Sequence, residues 1–186
     1  GHHEVARAYV LYRERRAQER AQQKAEAAPA APVLHVLDRG ERVALDLPAL
    51  QALLGQACAE LDAEVRPEPI LAETLRNLYD GVPVEEVYKA AILAARTLIE
   101  KEPDYTYATA RLLLHTIAKE VLGETLSLSQ LGERYPEHFA QCIRTGVQNE
   151  LLDERLQQYD LARLGAALKP ERDLQFDYLG LQTLYD

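Results

Sequence analysis

The sequence predicts a mainly α-helical protein in which one short β-hairpin is covered by about four helices, with further short helices after them. Apolar residues recur at helical spacing over long stretches, most clearly as Tyr107, Ala110, Leu114, Ile117 and Val121. Paired β-prone runs around a turn occur at one place, between Val33 and Leu45. A hydrophobic fraction of 47% in 186 residues is ample for a buried core.

In chain order, Val5, Tyr9 and Tyr12 share one face of a helix from Glu4 to about Lys24, whose other faces carry Arg13, Arg15, Arg16 and Arg20. Residues 25–32, with two prolines among small side chains, read as a linker. Val33–Leu37 and Arg42–Leu45 are the hairpin strands, and Gly40 supplies the positive φ of the turn between them. Asp46 is a helix N-cap and Pro48 suits the first turn, so Leu50, Leu53, Leu54, Ala57 and Leu61 form a stripe running to a break at Pro67 and Pro69. A second helix spans Ile70 to Tyr79, and a third carries Val87, Ala91, Ala94 and Leu98. The long helix from about Asp104 to Leu122 closes at Gly123. Shorter helices follow over Leu128–Arg134, Pro136–Thr145 and Glu154–Leu168, with another opening near Phe176.

Charge and motifs exclude several function classes. A net charge of −9 argues against nucleic acid as a partner. No apolar run approaches the roughly 20 residues of a membrane span, and no signal-peptide pattern opens the chain, so a cytoplasmic location is expected. Cys58 and Cys142 lack zinc-site or redox-pair spacing and read as reduced, mostly buried thiols, so neither a catalytic nor a metal-binding role is assigned to them. Tyr105 and Tyr107 read as packing residues with tethered hydroxyls, and His115 as an exposed or hydrogen-bonded histidine. Glu85 and Glu86 suit a helix start. With no initiator Met and no stop signal in the last amphipathic segment, the chain is expected to be a piece of a longer protein, and His2-His3 to be native or a tag remnant.

Three stretches carry a resemblance. Val5-Ala6-Arg7-Ala8-Tyr9-Val10-Leu11-Tyr12-Arg13-Glu14-Arg15-Arg16 resembles the closing helix of an ATP-cone, and it is weakly echoed by Ala108 to Leu113. The run Glu102-Pro103-Asp104-Tyr105-Thr106-Tyr107-Ala108-Thr109-Ala110-Arg111-Leu112 is similar to the large, or α, subunits of class I ribonucleotide reductases. Phe176-Asp177-Tyr178-Leu179-Gly180-Leu181 resembles the approach to that family's catalytic domain. The resemblance implies residues 1–24 as the end of a first ATP-cone, 25–32 as linker, 33–123 as a second ATP-cone-like domain and 124–186 as the helical start of the catalytic-subunit core. It also implies reduction of ribonucleotides to deoxyribonucleotides, with ATP and dATP as effectors and the catalytic cysteines outside this chain. The implied partners are the remainder of the large subunit, a small metal-containing radical-generating subunit, and further copies in a homo-oligomer. No cofactor is implied for this region itself.

The second cone departs from the family pattern where phosphates would be held. A triphosphate needs converging cations and amides. The family's hairpin supplies Lys-Arg-x-Gly, whereas this chain has Leu37-Asp38-Arg39-Gly40, placing Leu37 at the lysine position and a carboxylate beside it. Val84 and Tyr88 likewise replace polar partners. Arg39 and Lys119 remain as the candidate nucleotide-binding residues, and the cone is expected to be degenerate, with Arg39, Arg42 and Lys119 as solvated charges. The alternative is a stand-alone helical protein-interaction module with a cone-like fold.

Overall fold

The computed structural model describes residues 33–123 and 128–185. The expected first-cone helix, the linker and the histidine pair lie outside the described residues. Strands β1 (His35–Asp38) and β2 (Glu41–Ala44) form the hairpin, antiparallel with Val36 opposite Val43 and Asp38 opposite Glu41. Its two-residue loop places both Arg39 and Gly40 at positive φ, 50° and 85°, the pattern that matches the twist of paired strands. Val36 is buried and Leu37 points to the opposite, exposed face; Val43, paired with Val36, shares the inner face and is partly exposed there. A third strand joins them: β3 (Val82–Pro83) pairs in parallel with β1, giving the order β2-β1-β3. Two residues of strand leave no periodicity to read, and no strand was expected between the second and third helices.

Helix α1 (Leu47–Cys58) is capped by Asp46, whose Oδ1 accepts the Ala49 N–H at 2.9 Å. Helix α2 (Pro67–Asn77) begins earlier than expected, because Pro67 occupies its first turn and needs no donor there. Helix α3 (Val84–Leu98) buries Val87, Ala91, Ile92, Ala94 and Ala95, and its first turn carries Glu85 and Glu86. Helix α4 (Tyr105–Leu122) ends at Gly123 in the left-handed conformation, φ 67°.

The stripe expected on α4 is only part of what it buries. Its first eleven residues include nine buried ones, Arg111 and His115 among them, whereas Val121 is 59% exposed. The reason is position: α1, α3 and the last helix all pack against α4, so its N-terminal half is covered on most sides. Tyr105 hydrogen-bonds through its hydroxyl to the backbone of Arg66, and Arg111 donates to the carbonyls of Ala57 and Ala59 at 3.1 and 2.6 Å, holding the end of α1. The tethered hydroxyl expected at Tyr105 is present.

Helix α5 (Leu128–Gln148) is continuous through Pro136, against the expectation of two helices. Proline removes one internal N–H bond there without stopping the helix. Beyond it, the single helix expected over Glu154–Leu168 is divided into a 3-10 helix (Glu154–Gln158) and α6 (Leu161–Ala166). Asp153 and Asp160 each accept a backbone N–H ahead of them and start separate elements. Gly165 lets α6 lie against the Pro136 backbone, since a Cβ there would stand 2.8 Å from the Pro136 carbonyl oxygen. After a second 3-10 helix (Pro170–Gln175), α7 (Tyr178–Tyr185) packs on α4, its first turn held by Asp177 and its start tied by the Tyr178 N–H to Thr106 Oγ1 at 3.1 Å. Leu181 completes the core begun by Val36, Leu54, Ile70, Val87 and Leu112.

Candidate functional site

A cavity of about 280 Å³ opens between the hairpin and the helices beneath it. The ribbon side contributes Val36, Asp38 and Val43 to Asp46; α1 contributes Ala49, Leu50 and Leu53; α3 contributes Val84, Val87 and Tyr88; α4 contributes His115. The wall is thus apolar around two aromatic rings, with two carboxylates on the ribbon side. Among the described residues, no lysine or arginine lines it.

The two residues expected to hold a nucleotide are not brought together on this wall. Arg39 sits exposed at the tip of the hairpin, carried there by its left-handed turn conformation. Lys119 lies outside the lining, with its ammonium 4.8 Å from the centre of the Tyr88 ring and 3.8 Å from a Glu85 carboxylate oxygen. Only 26% of its side chain is exposed, so it is more committed to neighbours than the solvated charge expected from sequence. Arg42 likewise pairs with Asp80. Leu37, at the position of the family's lysine, faces outward, and Asp38 lines the cavity.

Burial, with the charges of Asp38, Glu85 and Asp46 added to it, raises the Tyr88 phenol above its ordinary value. Three carboxylates therefore act on one phenol that lines the cavity, with the Lys119 ammonium over its ring. A polyphosphate approaching here would meet a predominantly negative field.

His115 departs from expectation most. Sequence suggested an exposed or hydrogen-bonded ring, but the residue is 4% exposed and its Nδ1 is buried with no hydrogen-bond partner among the described residues. Its ring lies 5.2 Å from that of Tyr88, tilted by 51°. Burial, reinforced by the Lys119 charge, lowers its pKa below the usual histidine value, so the ring is neutral at physiological pH. Ala108, Leu112 and His115 lie at helical spacing, a second apolar stripe that could have flagged the burial.

The cysteines behave differently from each other. Cys58 is buried as expected, and burial pushes its thiol up to about 11. Cys142 is exposed on α5 at an apolar groove and corrects the expectation that both are mostly buried, because nothing among the described residues closes over that groove. Among the described residues, no group of three or more His, Cys, Asp or Glu side chains could hold a metal ion, and no helix is long and apolar enough to cross a membrane.

No family model matches the chain. Among curated proteins it is similar to the ribonucleoside-diphosphate reductase subunit alpha of Chlamydia muridarum, 37% identical over 191 aligned residues that take in all of this chain and 18% of that subunit. The corresponding subunit of Chlamydia pneumoniae is 35% identical over the same coverage. The ribonucleoside-diphosphate reductase large subunit of Danio rerio is 27% identical over 81% of this chain and 19% of its own length. The chain spans only 18% of the length of its chlamydial relatives. Along its whole length, the chain is homologous to the N-terminal region of ribonucleoside-diphosphate reductase alpha subunits.

Proposed function

We propose that this chain is a regulatory and linking region of a class I ribonucleotide reductase large subunit. The full enzyme would reduce ribonucleotides to deoxyribonucleotides in the cytoplasm, with a small radical-generating subunit and further copies of the large subunit as partners. Catalysis would rest on cysteines elsewhere, because Cys58 is buried with a raised pKa and Cys142 has no partner cysteine in this chain. Residues 33–123 act as a degenerate ATP-cone, and ATP/dATP control falls to the cone whose closing helix occupies residues 1–24. Residues 124–186 lead into the catalytic core. The end-to-end identity with alpha subunits supports the enzyme assignment over a stand-alone interaction module.

The observation that carries the degenerate reading is the cavity wall itself, which among the described residues presents Asp38 and Asp46 and no cation. Arg39 and Lys119 are the residual basic groups of the site, one at the hairpin tip and one held over Tyr88. Calorimetric titration of the chain with ATP and dATP in the presence of Mg²⁺ tests it, with a Leu37→Lys, Asp38→Arg variant alongside. The expected result is no heat of binding from the unmodified chain and measurable binding by the variant. Micromolar or tighter binding by the unmodified chain would overturn the degenerate reading.

A further inference from the structure

The outer edge of the hairpin is open. Every residue of β2 (Glu41–Ala44) is exposed, and among the described elements β2 makes substantial contact with β1 alone, whereas β1 also meets β3 and α3. The register fixes which backbone groups that edge carries. The Leu45 N–H donates to the Leu34 carbonyl at 2.8 Å, and Val43 stands opposite Val36 one alternation further along, so the cross-strand bonds of β2 fall to its odd-numbered residues. The N–H and C=O groups of Arg42 and Ala44 therefore point away from β1, and no described residue takes them. Exposed apolar side chains surround the edge: Val43 on it, Leu37 on the outer face of the ribbon, and Val33 and Leu47 at its base. Neither a proline nor a lysine stands on β2 to keep another strand away.

Charge decides which strand fits. Arg39, at the tip, is exposed and has no ion pair or hydrogen bond among the described residues. At the base, Asp46 caps α1 with one carboxylate oxygen and leaves the other without a hydrogen bond among the described residues. The edge thus has a cation at one end and a carboxylate at the other, and it complements itself when two copies run antiparallel about a two-fold axis. One register achieves this. With Val43 opposite Val43 of the second copy, Arg42 lies opposite Ala44 and exchanges both backbone bonds with it, while Arg39 of each copy comes level with Asp46 and Leu47 of the other. A shift of two residues toward the tip sets Arg42 against Arg42 and moves Arg39 away from Asp46. The opposite shift sets Ala44, the last residue of β2, against itself and leaves half of the ladder empty. We propose that β2 pairs edge to edge with β2 of a second copy, joining two three-stranded sheets into one, with Arg39 of each copy against Asp46 of the other. The assignment rests on the reading of further copies of the large subunit as partners, and it adds the surface by which they meet.

The full 186-residue chain, labelled with ¹⁵N, is followed from about 10 µM to about 1 mM by sedimentation equilibrium, ¹H–¹⁵N correlation and amide exchange. A seam of short strands is small, so the expected result is a weak monomer–dimer equilibrium in which the Arg42 and Ala44 amides shift and exchange more slowly as concentration rises. Ala44→Pro deletes only an outward N–H and should weaken the dimer by about tenfold or more. Arg39→Glu, at the exposed tip, should weaken it severalfold, with the difference from the native chain narrowing in high salt. Both variants should melt like the native chain when dilute. A native chain that stays monomeric at about 1 mM overturns the proposal, whatever the variants do. A dimer whose Arg42 and Ala44 amides do not respond overturns it as well, because the copies are then joined elsewhere. Protection of those amides that is independent of concentration has the same force, because the edge is then covered within one chain. Equal association by a folded Ala44→Pro chain also overturns it. None of these outcomes touches the degenerate-cone reading, which the nucleotide titration tests separately.

Discussion

Asp80 holds His35 at two points. Its Oδ1 accepts the His35 backbone N–H at 2.8 Å and stands 3.2 Å from Nδ1 of the same residue, while its other oxygen takes the guanidinium of Arg42. One carboxylate from the turn after α2 therefore ties both strands of the hairpin, and the Gly81 N–H donates to the His35 carbonyl beside it. A ribbon of four-residue strands needs such external ties to hold its register. Replacing Asp80 with Ala is expected to speed amide exchange severalfold in β1 and β2 and to leave the core of α4 unchanged, as read by hydrogen–deuterium exchange. The His35 backbone bond is the main cause holding the Asp80 carboxyl below its ordinary value. The stabilisation is accordingly complete above the unfolded carboxylate range, about pH 4, and is lost as pH falls through the lower folded value.

Arg111 is the internal clasp of the helical layer. It is buried, and its guanidinium reaches the Ala57 and Ala59 carbonyls at the end of α1, where the helix leaves acceptors unpaired and its dipole is negative. Arg111→Met keeps the apolar stem and deletes the donors. Hydrogen bonds from a charged group contribute about 2 kcal/mol, so urea unfolding should show a loss near that size, with little change in the denaturant slope. An unaffected midpoint would mean that water replaces the guanidinium at no cost.

The contrast between these two ties explains what the sequence could and could not disclose. Local devices were legible: the Asp46 cap, the Gly40 turn and the Gly123 stop each act within a few residues of themselves. Asp80 and His35 lie 45 residues apart, and Arg111 and Ala57 54 apart, so no periodicity links either pair. Pro136 misled because a proline's cost can be borne inside a long helix, and α6 lies against its backbone here. At the site, the acidic substitution at Asp38 was legible from the hairpin motif alone. The burial of His115 was legible only as a spacing shared with Ala108 and Leu112, because its extent depends on three other elements closing over α4.

Thiol labelling offers a test of how the two cysteines are housed. Cys58 is buried at the end of α1 with its pKa pushed to about 11, burial outweighing the opposing charge of Arg111, whereas Cys142 is exposed on α5. Alkylation requires an accessible thiolate. Iodoacetamide at pH 8 should modify Cys142 first and Cys58 slower by about a hundredfold or more, as counted by peptide mass spectrometry, with the difference vanishing in denaturant. Comparable rates in the folded protein would show that the end of α1 opens readily.

His115 should make the fold acid-sensitive in a range where carboxylates do not titrate. Burial and the nearby Lys119 charge hold its folded pKa below the ordinary 6.5, so the unfolded chain takes up a proton at a pH where the folded chain still excludes it. The unfolded state then binds more protons, and stability falls as pH drops below the unfolded value of about 6.5, continuing until the folded value is reached. One proton accounts for at most about 1.4 kcal/mol per pH unit across that window. The informative quantity is the difference between the native chain and His115→Phe in urea midpoints from pH 7.5 to pH 5. The native chain should lose stability more steeply, and above pH 7.5 the two slopes should converge. Parallel profiles throughout would mean that the ring takes up its proton inside the fold, which its buried, unpartnered Nδ1 argues against.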